Sequence, residues 1–455
     1  MKHRASFRDP SGFLFYKDGV LYRQVNPGYQ DHYVHLLASG LYEKCAAKGL
    51  LVRHEEADAG LSPDGKAFKV IRPAMVPFIS YPYEWCFSQL KAAALATLEM
   101  YGIAMKHGMI LKDSSAYNIQ FMSGRPVLID SLSFEKQVPG KPWVGYGQFC
   151  RHFLAPLALM AKKDVRLQHL LRVYIDGIPL DCASRLLPWT TKLDPRLFMH
   201  IHLHAGSYKK YAGKKVDMRK VKVGAMANLG LVDSLSNAVQ SLAWEPEGTE
   251  WAEYYTDTNY TEQGLISKKE IVATIIEKVK PAMVWDLGAN DGTFSRIAAA
   301  KAGNVISFDV DPAAVEKNYR QAGNNNEKNL LPILLDLANP SAGIGWANSE
   351  RSSLTERGPV DLVMALALVH HLAIGNNVPF DAIAAFFAQL CRYLLIEFVP
   401  KEDSQVKRLL QSREDVFMEY DEERFLKGFG KYFTTVYREP VKESKRVMFL
   451  FEKSR

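Results

Sequence analysis

Apolar and polar positions along this 455-residue chain change rhythm past its midpoint. From residue 281 onward, short continuous apolar runs alternate with amphipathic stretches, the order that a parallel sheet with crossover helices requires. The pattern predicts strands at 283–287, 305–308, 330–335, 360–366 and 393–399. Helices are predicted at 293–302, 312–321, 380–390 and 403–410, the second opened by Pro312 in its first turn. Two further apolar runs, 433–437 and 446–451, are separated only by the polar segment 438–445, so they should pair as an antiparallel hairpin. A helix-like stretch at 268–279 follows four aromatics, Trp251, Tyr254, Tyr255 and Tyr260, which read as packing residues or as a cover over a site. Nearer the N-terminus, residues 167–187 set Arg172 and Arg185 among leucines, as amphipathic helices do. His200-Ile-His202-Leu-His204 alternates as a strand would, with three imidazoles on one face, and reads as an exposed polar strand face, a helix entry or, alternatively, a metal site.

The length suggests two or three domains at roughly 150 residues each. With 47% apolar and 24% charged residues the chain sits in the globular range. Residues 206–250 divide it: Lys209, Lys210, Lys214, Lys215, Arg219, Lys220 and Lys222 crowd into a basic stretch that reads as a solvated connector or, alternatively, a phosphate-tracking arm. This gives an N-terminal domain at 1–205, a connector at 206–250 and a C-terminal domain at 251–455. The net charge of +7 fits an acidic substrate or plain solubility, and a nucleic-acid partner is not expected. Five cysteines lie far apart without a C-x-x-C pair, so neither a disulfide framework nor a zinc knuckle is expected, in keeping with a reducing cytoplasm. No apolar leader region is present at the start, and the longest apolar runs fall short of the roughly 18 residues a membrane span needs. A cytoplasmic protein without a membrane span is the expectation, and oligomeric state is not legible.

The chemistry concentrates in Val284-Trp-Asp286-Leu-Gly288-Ala-Asn290-Asp-Gly292-Thr-Phe294, where an apolar strand passes through a carboxylate into a glycine-bearing turn that opens a helix. The next strand ends at Asp309, where a carboxylate can accept paired hydrogen bonds from a ribose diol, and the third ends at Asp336. A dinucleotide would need a phosphate cradle at the helix start; Asp291 puts negative charge there, which repels pyrophosphate and suits a cationic sulfonium. This region of about 200 residues resembles the class I S-adenosylmethionine-dependent methyltransferases, with asparagine at the middle glycine of their first motif. The resemblance implies a Rossmann-like doubly wound α/β sheet ending in an antiparallel hairpin, with S-adenosylmethionine as cofactor. It implies that Asp286 and the turn Gly288–Asn290–Gly292 hold the methionine part, Asp309 the ribose and Asp336 the adenine amino group. His370 and His371 fall at the carboxyl edge of the fourth strand, as proton acceptors or as pocket lining, and Glu397 ends the fifth strand, where it could orient a histidine or bind the acceptor. The layout, including Ile396-Glu-Phe-Val-Pro-Lys-Glu-Asp403, is similar to bacterial methyltransferases of a nodulation-protein type, which implies a small-metabolite or glycan acceptor.

A second constellation lies in Leu111-Lys-Asp113-Ser-Ser-Ala-Tyr-Asn118 followed by Val127-Leu-Ile-Asp130. It resembles the catalytic loop of the protein-kinase and aminoglycoside-kinase superfamily, which implies an α+β kinase-like domain with Asp113 as base and Asn118 and Asp130 as metal ligands. By the same resemblance 54–83 would supply lobe-connecting strands, 33–48 a regulatory helix with Glu43, and Arg23 would stand at the usual lysine position. No glycine-rich phosphate loop precedes Arg23, and Asp130-Ser-Leu lacks the following phenylalanine and glycine. Phosphotransfer or substrate binding by this half is therefore the alternative reading. The three histidines at 200–204 would need a further ligand and a matching outer shell to hold a metal.

Overall fold

The structure is a computed structural model that describes residues 2–205, 223–246, 260–411 and 414–454. The basic run 206–222 and Trp251, Tyr254 and Tyr255 lie outside the described residues. The chain forms two compact units, Met1–Glu245 with Ile344–Arg351, and Pro246–Gly343 with Ser352–Arg455.

In the first unit, strands β1 (Gly12–Lys17), β2 (Val20–Val25), β3 (His54–Ala57) and β4 (Lys69–Pro73) form an antiparallel sheet in the order β1-β2-β4-β3. Asp18 and Gly19, both at positive φ, make the two-residue turn between β1 and β2. Helices α1 (Gln30–Ala38) and α2 (Leu41–Ala47) follow β2. The single helix expected over 33–48 is thus two, because Gly40 sits at φ 78° in the left-handed region and turns the chain. Helix α3 (Phe87–Lys106) buries Leu90, Ala93, Ala94, Thr97, Leu98 and Tyr101, a stripe at helical spacing. After it come β5 (Met109–Leu111), β6 (Ile119–Met122), β7 (Arg125–Leu128) and β8 (Phe134–Lys136), with β5 paired to β8 and β6 to β7.

Of the two structural readings of 200–204, strand face and helix entry, the structure has the helical one, a wide turn at Phe198–Leu203. The alternation of histidines has another cause there, since each buried ring is bracketed by hydroxyls. His200 meets Tyr146 and Ser234, both at 2.9 Å. His202 meets Ser184 at 2.8 Å and Thr191 at 2.9 Å. Among the described residues no group of three or more His, Cys, Asp or Glu could hold a metal ion. No helix among them is long and apolar enough to cross a membrane.

The second unit carries a seven-stranded α/β sheet. Its strands are β9 (Met283–Leu287), β10 (Asn304–Asp309), β11 (Leu330–Leu334), β12 (Val360–Ala365), β13 (Cys391–Phe398), β14 (Phe433–Pro440) and β15 (Val447–Lys453), in the order β11-β10-β9-β12-β13-β15-β14. The first five neighbours run parallel; β15 pairs antiparallel with β13, and β14 with β15. This is a Rossmann-like doubly wound sheet closed by the expected hairpin. Because β9 lies between β10 and β12, the connections leave it in opposite directions, and a crevice opens at the carboxyl ends of β9 and β12. Helix Glu262–Val279, capped by the Thr261 hydroxyl accepting from the Gly264 amide, buries Ile271, Val272, Ile275 and Ile276 in the core that includes Val284 and Leu362.

Candidate active site

Strand β9 carries Val284 and Trp285 through the core and delivers Asp286, 2% exposed, to its end. There the Ser295 hydroxyl donates to Asp286 Oδ2 at 2.6 Å. Three alternate residues after it, Gly288, Asn290 and Gly292, take positive φ of 76°, 51° and 81°. A Cβ on Gly292 would fall 2.5 Å from the Asn318 side-chain amide, so glycine is required there on space as well as on φ. Asparagine at the middle position tolerates the left-handed conformation. The turn is fastened to β10: the amides of Gly288 and Ala289 donate to Phe308 O at 2.8 and 2.9 Å. The Asn290 amide donates to Asp309 Oδ2 at 2.7 Å, and the Asp311 amide to Oδ1 at 2.9 Å.

A cavity of about 340 Å³ opens beside this turn, lined by Asp286, Gly288, Asn290, Asp309 and Asp336 on one side and by Tyr260, Lys268, Leu368, His371 and Asn376 among others. Gly292 shapes the turn without lining the cavity. Asp336 is exposed and accepts from the Ala338 amide at 2.8 Å. Burial pushes the Asp286 carboxyl up to about 7, against the opposing pull of Ser295 and Lys268. Burial likewise lifts Asp309 to about 6, although backbone amides of Asp311 and Asn290 favour its ionised form.

His371 lines the cavity, and burial with the nearby Arg446 charge lowers it to about 4. His370 does not line it; it is fully buried, its ring centroid 4.2 Å from that of His371, and neither ring nitrogen meets a hydrogen-bond partner. Burial also holds His370 neutral. Glu397, at the end of β13, is fully buried behind the cavity wall. It accepts from Lys268 Nζ at 2.7 Å and from the Tyr260 hydroxyl, and Arg446 lies 3.8 Å away. Burial opposes ionisation of Glu397, but Lys268 and Arg446 hold its carboxyl below the ordinary range. Arg446 in turn donates to both oxygens of Asp403, at 2.8 and 3.1 Å.

Sequence reasoning passed over Lys268 and Arg446. The signal for the former was present: Lys268 falls on the same helical stripe as Ile271, Val272 and Ile275, a core position where a lysine must find a partner.

In the first unit Asp113, Asn118 and Asp130 are followed to their places by a different chemistry. Arg23, 7% exposed, donates Nη1 to Asp130 Oδ1 at 2.7 Å and Nη2 to Asp9 Oδ2 at 3.1 Å. Asp130 also accepts from the Leu132 amide at 2.8 Å. Asp113 accepts from Gln148 at 2.8 Å and the Ser115 amide at 3.0 Å, while Asn118 Nδ2 is buried without a partner. Glu43 is paired with Arg53 at 3.3 Å rather than with Arg23. A divalent cation at Asp130 would have to displace a guanidinium, so these residues do not fit a metal–nucleotide.

No protein-family model matches the chain. It is 34% identical over 461 residues to nodulation protein NoeA of Rhizobium meliloti (strain 1021), covering 99% of this chain and 95% of that protein. Solved structures that it is similar to include magnesium protoporphyrin IX methyltransferase ChlM from Synechocystis PCC 6803 with bound SAH, at 17% identity and TM-score 0.32 over 44% of this chain and 91% of that one. N-methyltransferase NodS from Bradyrhizobium japonicum WM9 aligns at 10% identity and TM-score 0.33 over 43% of this chain and 98% of that one.

The raised Asp286 carboxyl has a consequence for stability. The fold keeps a proton there that the unfolded chain has already lost, so its contribution falls as pH rises from about 4 to about 7. Asp286→Asn is therefore expected to raise the unfolding midpoint by a few degrees above about pH 8 and to change it little near pH 4. Thermal unfolding across pH checks this; no gain at the alkaline end refutes the desolvation argument. In the first unit, Asp130→Ala should destabilise by about 1–3 kcal/mol because Arg23 loses a buried partner. Titration of the wild type with Mg-ATP should release no binding heat, and an affinity that vanished in Asp130→Ala would show the metal reading to be right after all.

Proposed function

The chain belongs to the family of nodulation protein NoeA, and on that premise we propose that its second unit transfers a methyl group from S-adenosylmethionine to a small-metabolite or glycan acceptor. The observation that carries the reading is the meeting of Asp286, the Gly288–Gly292 turn and Asp309 at one cavity on the sheet's switch point. Each group suits one part of the cofactor. Asp286 offers a desolvated carboxylate for the ammonium of the methionine end, beside the backbone of Gly288 and Asn290. Asp309 has lone pairs left after its two backbone contacts, enough for a ribose diol. Asp336, at the outer rim, meets the adenine amino group.

When bound, S-adenosylmethionine supplies an electrophilic methyl carried on a sulfonium. The chain's part is alignment and exclusion of water: Leu366, Leu368 and Leu372 make the wall beside the carboxyl end of β12 apolar. His371 stands on that wall as a neutral imidazole at physiological pH, able to accept the proton that an acceptor hydroxyl gives up as the new bond to carbon forms. His370 sets the position of His371 from behind, and Glu397 acts through Lys268 rather than on the acceptor itself. For the first unit we propose a kinase-like accessory domain; its strand order β1-β2-β4-β3 and the placement of Asp113, Asn118 and Asp130 support the likeness, and the Arg23–Asp130 pair argues against phosphotransfer.

Asp309→Ala should weaken binding of S-adenosylmethionine and S-adenosylhomocysteine roughly 100-fold or more, through loss of two charge-assisted hydrogen bonds. Calorimetric titration measures it, and unchanged affinity would sink the assignment. Since Asp286 must be ionised to meet an ammonium, affinity should also drop by up to roughly tenfold per pH unit below about pH 7. A flat profile between about pH 5 and pH 8 would remove Asp286 from the site.

A further inference from the structure

Leu186, Trp189, Leu193, Phe198, Met199 and Leu203 are exposed, and Trp189 and Leu193 are each 71% exposed. They come from three short segments of the first unit, helix Leu180–Leu186 and the turns Trp189–Leu193 and Phe198–Leu203. His202 draws these segments together: its ring meets the Ser184 hydroxyl of the first and the Thr191 hydroxyl of the second, and the Phe198 ring lies 6.5 Å from it. Each segment already buries its own inward residues, Ala183, Thr191 and Ile201 among them, so the six outward side chains are surplus to that packing. Large apolar side chains gathered in one place and left in water mark an interaction surface.

Charge decides what suits it. Lys192 stands exposed beside Leu193. The neighbouring carboxylates are taken up locally, Asp181 by Arg185 and Asp194 by Arg196, both at 2.9 Å. Residues 151–205 hold eight Lys and Arg against four Asp and Glu. The chain leaves the described residues after Ala205, two positions beyond Leu203, and the sequence 206–222 adds seven cations against Asp217 alone. The surplus over 151–222 exceeds the +7 of the whole chain, so the remainder is net acidic. A second copy would bring the same positive surplus to the patch and repel it. A nucleic acid would match the charge, but its phosphates offer nothing to exposed leucine and methionine. A lipid surface with anionic headgroups matches both, because tryptophan and leucine enter the boundary between headgroups and acyl chains while lysine and arginine meet the phosphates.

We propose that the first unit docks on an anionic membrane surface through this patch, with Trp189 and Leu193 entering the lipid boundary and Lys192 at the headgroups. Such docking is peripheral and needs no spanning helix. It stands independently of the methyl-transfer reading, since none of these residues lines the cavity of the second unit.

The test is co-sedimentation of the full chain with vesicles of phosphatidylcholine alone and of phosphatidylcholine mixed with phosphatidylglycerol. Wild type should partition onto the mixed vesicles roughly tenfold or more above the neutral ones, and added salt should shrink that difference. Trp189→Ser and Leu193→Ser together should weaken binding to the mixed vesicles roughly 10- to 100-fold. The unfolding midpoint should hold, because both side chains leave solvent rather than a core. Lys192→Glu should weaken the mixed vesicles by roughly tenfold and leave the neutral ones unchanged. Wild type that stays in the supernatant with both vesicles overturns the proposal without any variant, so a double variant that failed to fold would not leave it open. Undiminished binding by a folded double variant assigns the attraction to charge elsewhere on the chain and overturns it too. Concentration-dependent dimerisation that the double variant abolishes, without vesicle binding, gives the face to a second copy and has the same consequence.

Discussion

The second unit depends on a set of charges buried where an apolar core would ordinarily stand. Glu397, Lys268, Arg446, Asp403 and Tyr260 come from the end of β13, the helix Glu262–Val279, the turn before β15, the residue capping helix Ser404–Leu410, and the segment before Thr261. Lys268 and Glu397 are 129 residues apart, Arg446 and Tyr260 186. A buried ion pair gains little over well-packed apolar residues, because desolvation of both ions offsets their attraction, yet losing one partner strands the other at a cost of about 3–5 kcal/mol. Such a set therefore contributes definition of geometry more than net stability. Here the definition falls on a cavity wall: with Glu397 pinned from two sides, the Lys268 ammonium has little freedom to leave it.

Opposite that wall the glycine turn does the complementary thing. Asp286 and Asp309 are held in place by a hydroxyl and by backbone amides, without a direct cationic partner, and burial lifts both carboxyls toward neutrality. The ligand-free fold therefore carries desolvated acids whose ionised state is unfavourable. A ligand that brings a positive charge and hydroxyl donors relieves this cost on binding, so the destabilisation of the free state becomes part of the driving force for association. Trp285 and Phe308, packed edge to face at 5.5 Å, keep the two strand ends from shifting to relieve the cost in another way.

What could be read from the chain divides along the range of the forces involved. The β9 turn was legible because its requirements are local: a positive φ calls for glycine or asparagine within a few residues, and an apolar run shows the strand directly before it. The hairpin β14–β15 was legible for the same reason. The break at Gly40 escaped because an amphipathic pattern continues across a single residue that reverses the chain. The histidines at 200–204 misled because period-2 polarity arose from hydroxyl partners on Tyr146, Ser184, Thr191 and Ser234, residues distant in sequence. Lys268 stood out as a lysine on a buried helical stripe, but its partner, lying on a strand far along the chain, could not be read.

Arg23 shows how one departure from a motif can be explained only in three dimensions. A lysine at that position presents a point charge and can serve one carboxylate while leaving room for a cation beside another. Arginine presents a planar fork, and its two terminal nitrogens reach Asp130 and Asp9 together. Lys112 donates to Ser11 at 2.7 Å and lies 3.9 Å from Asp9, so both carboxylates are met by cations of the chain itself. The carboxylate at the position that the kinase resemblance implies for a metal is kept, but it is paired with Arg23. A phosphotransfer centre needs that charge for magnesium and cannot have both.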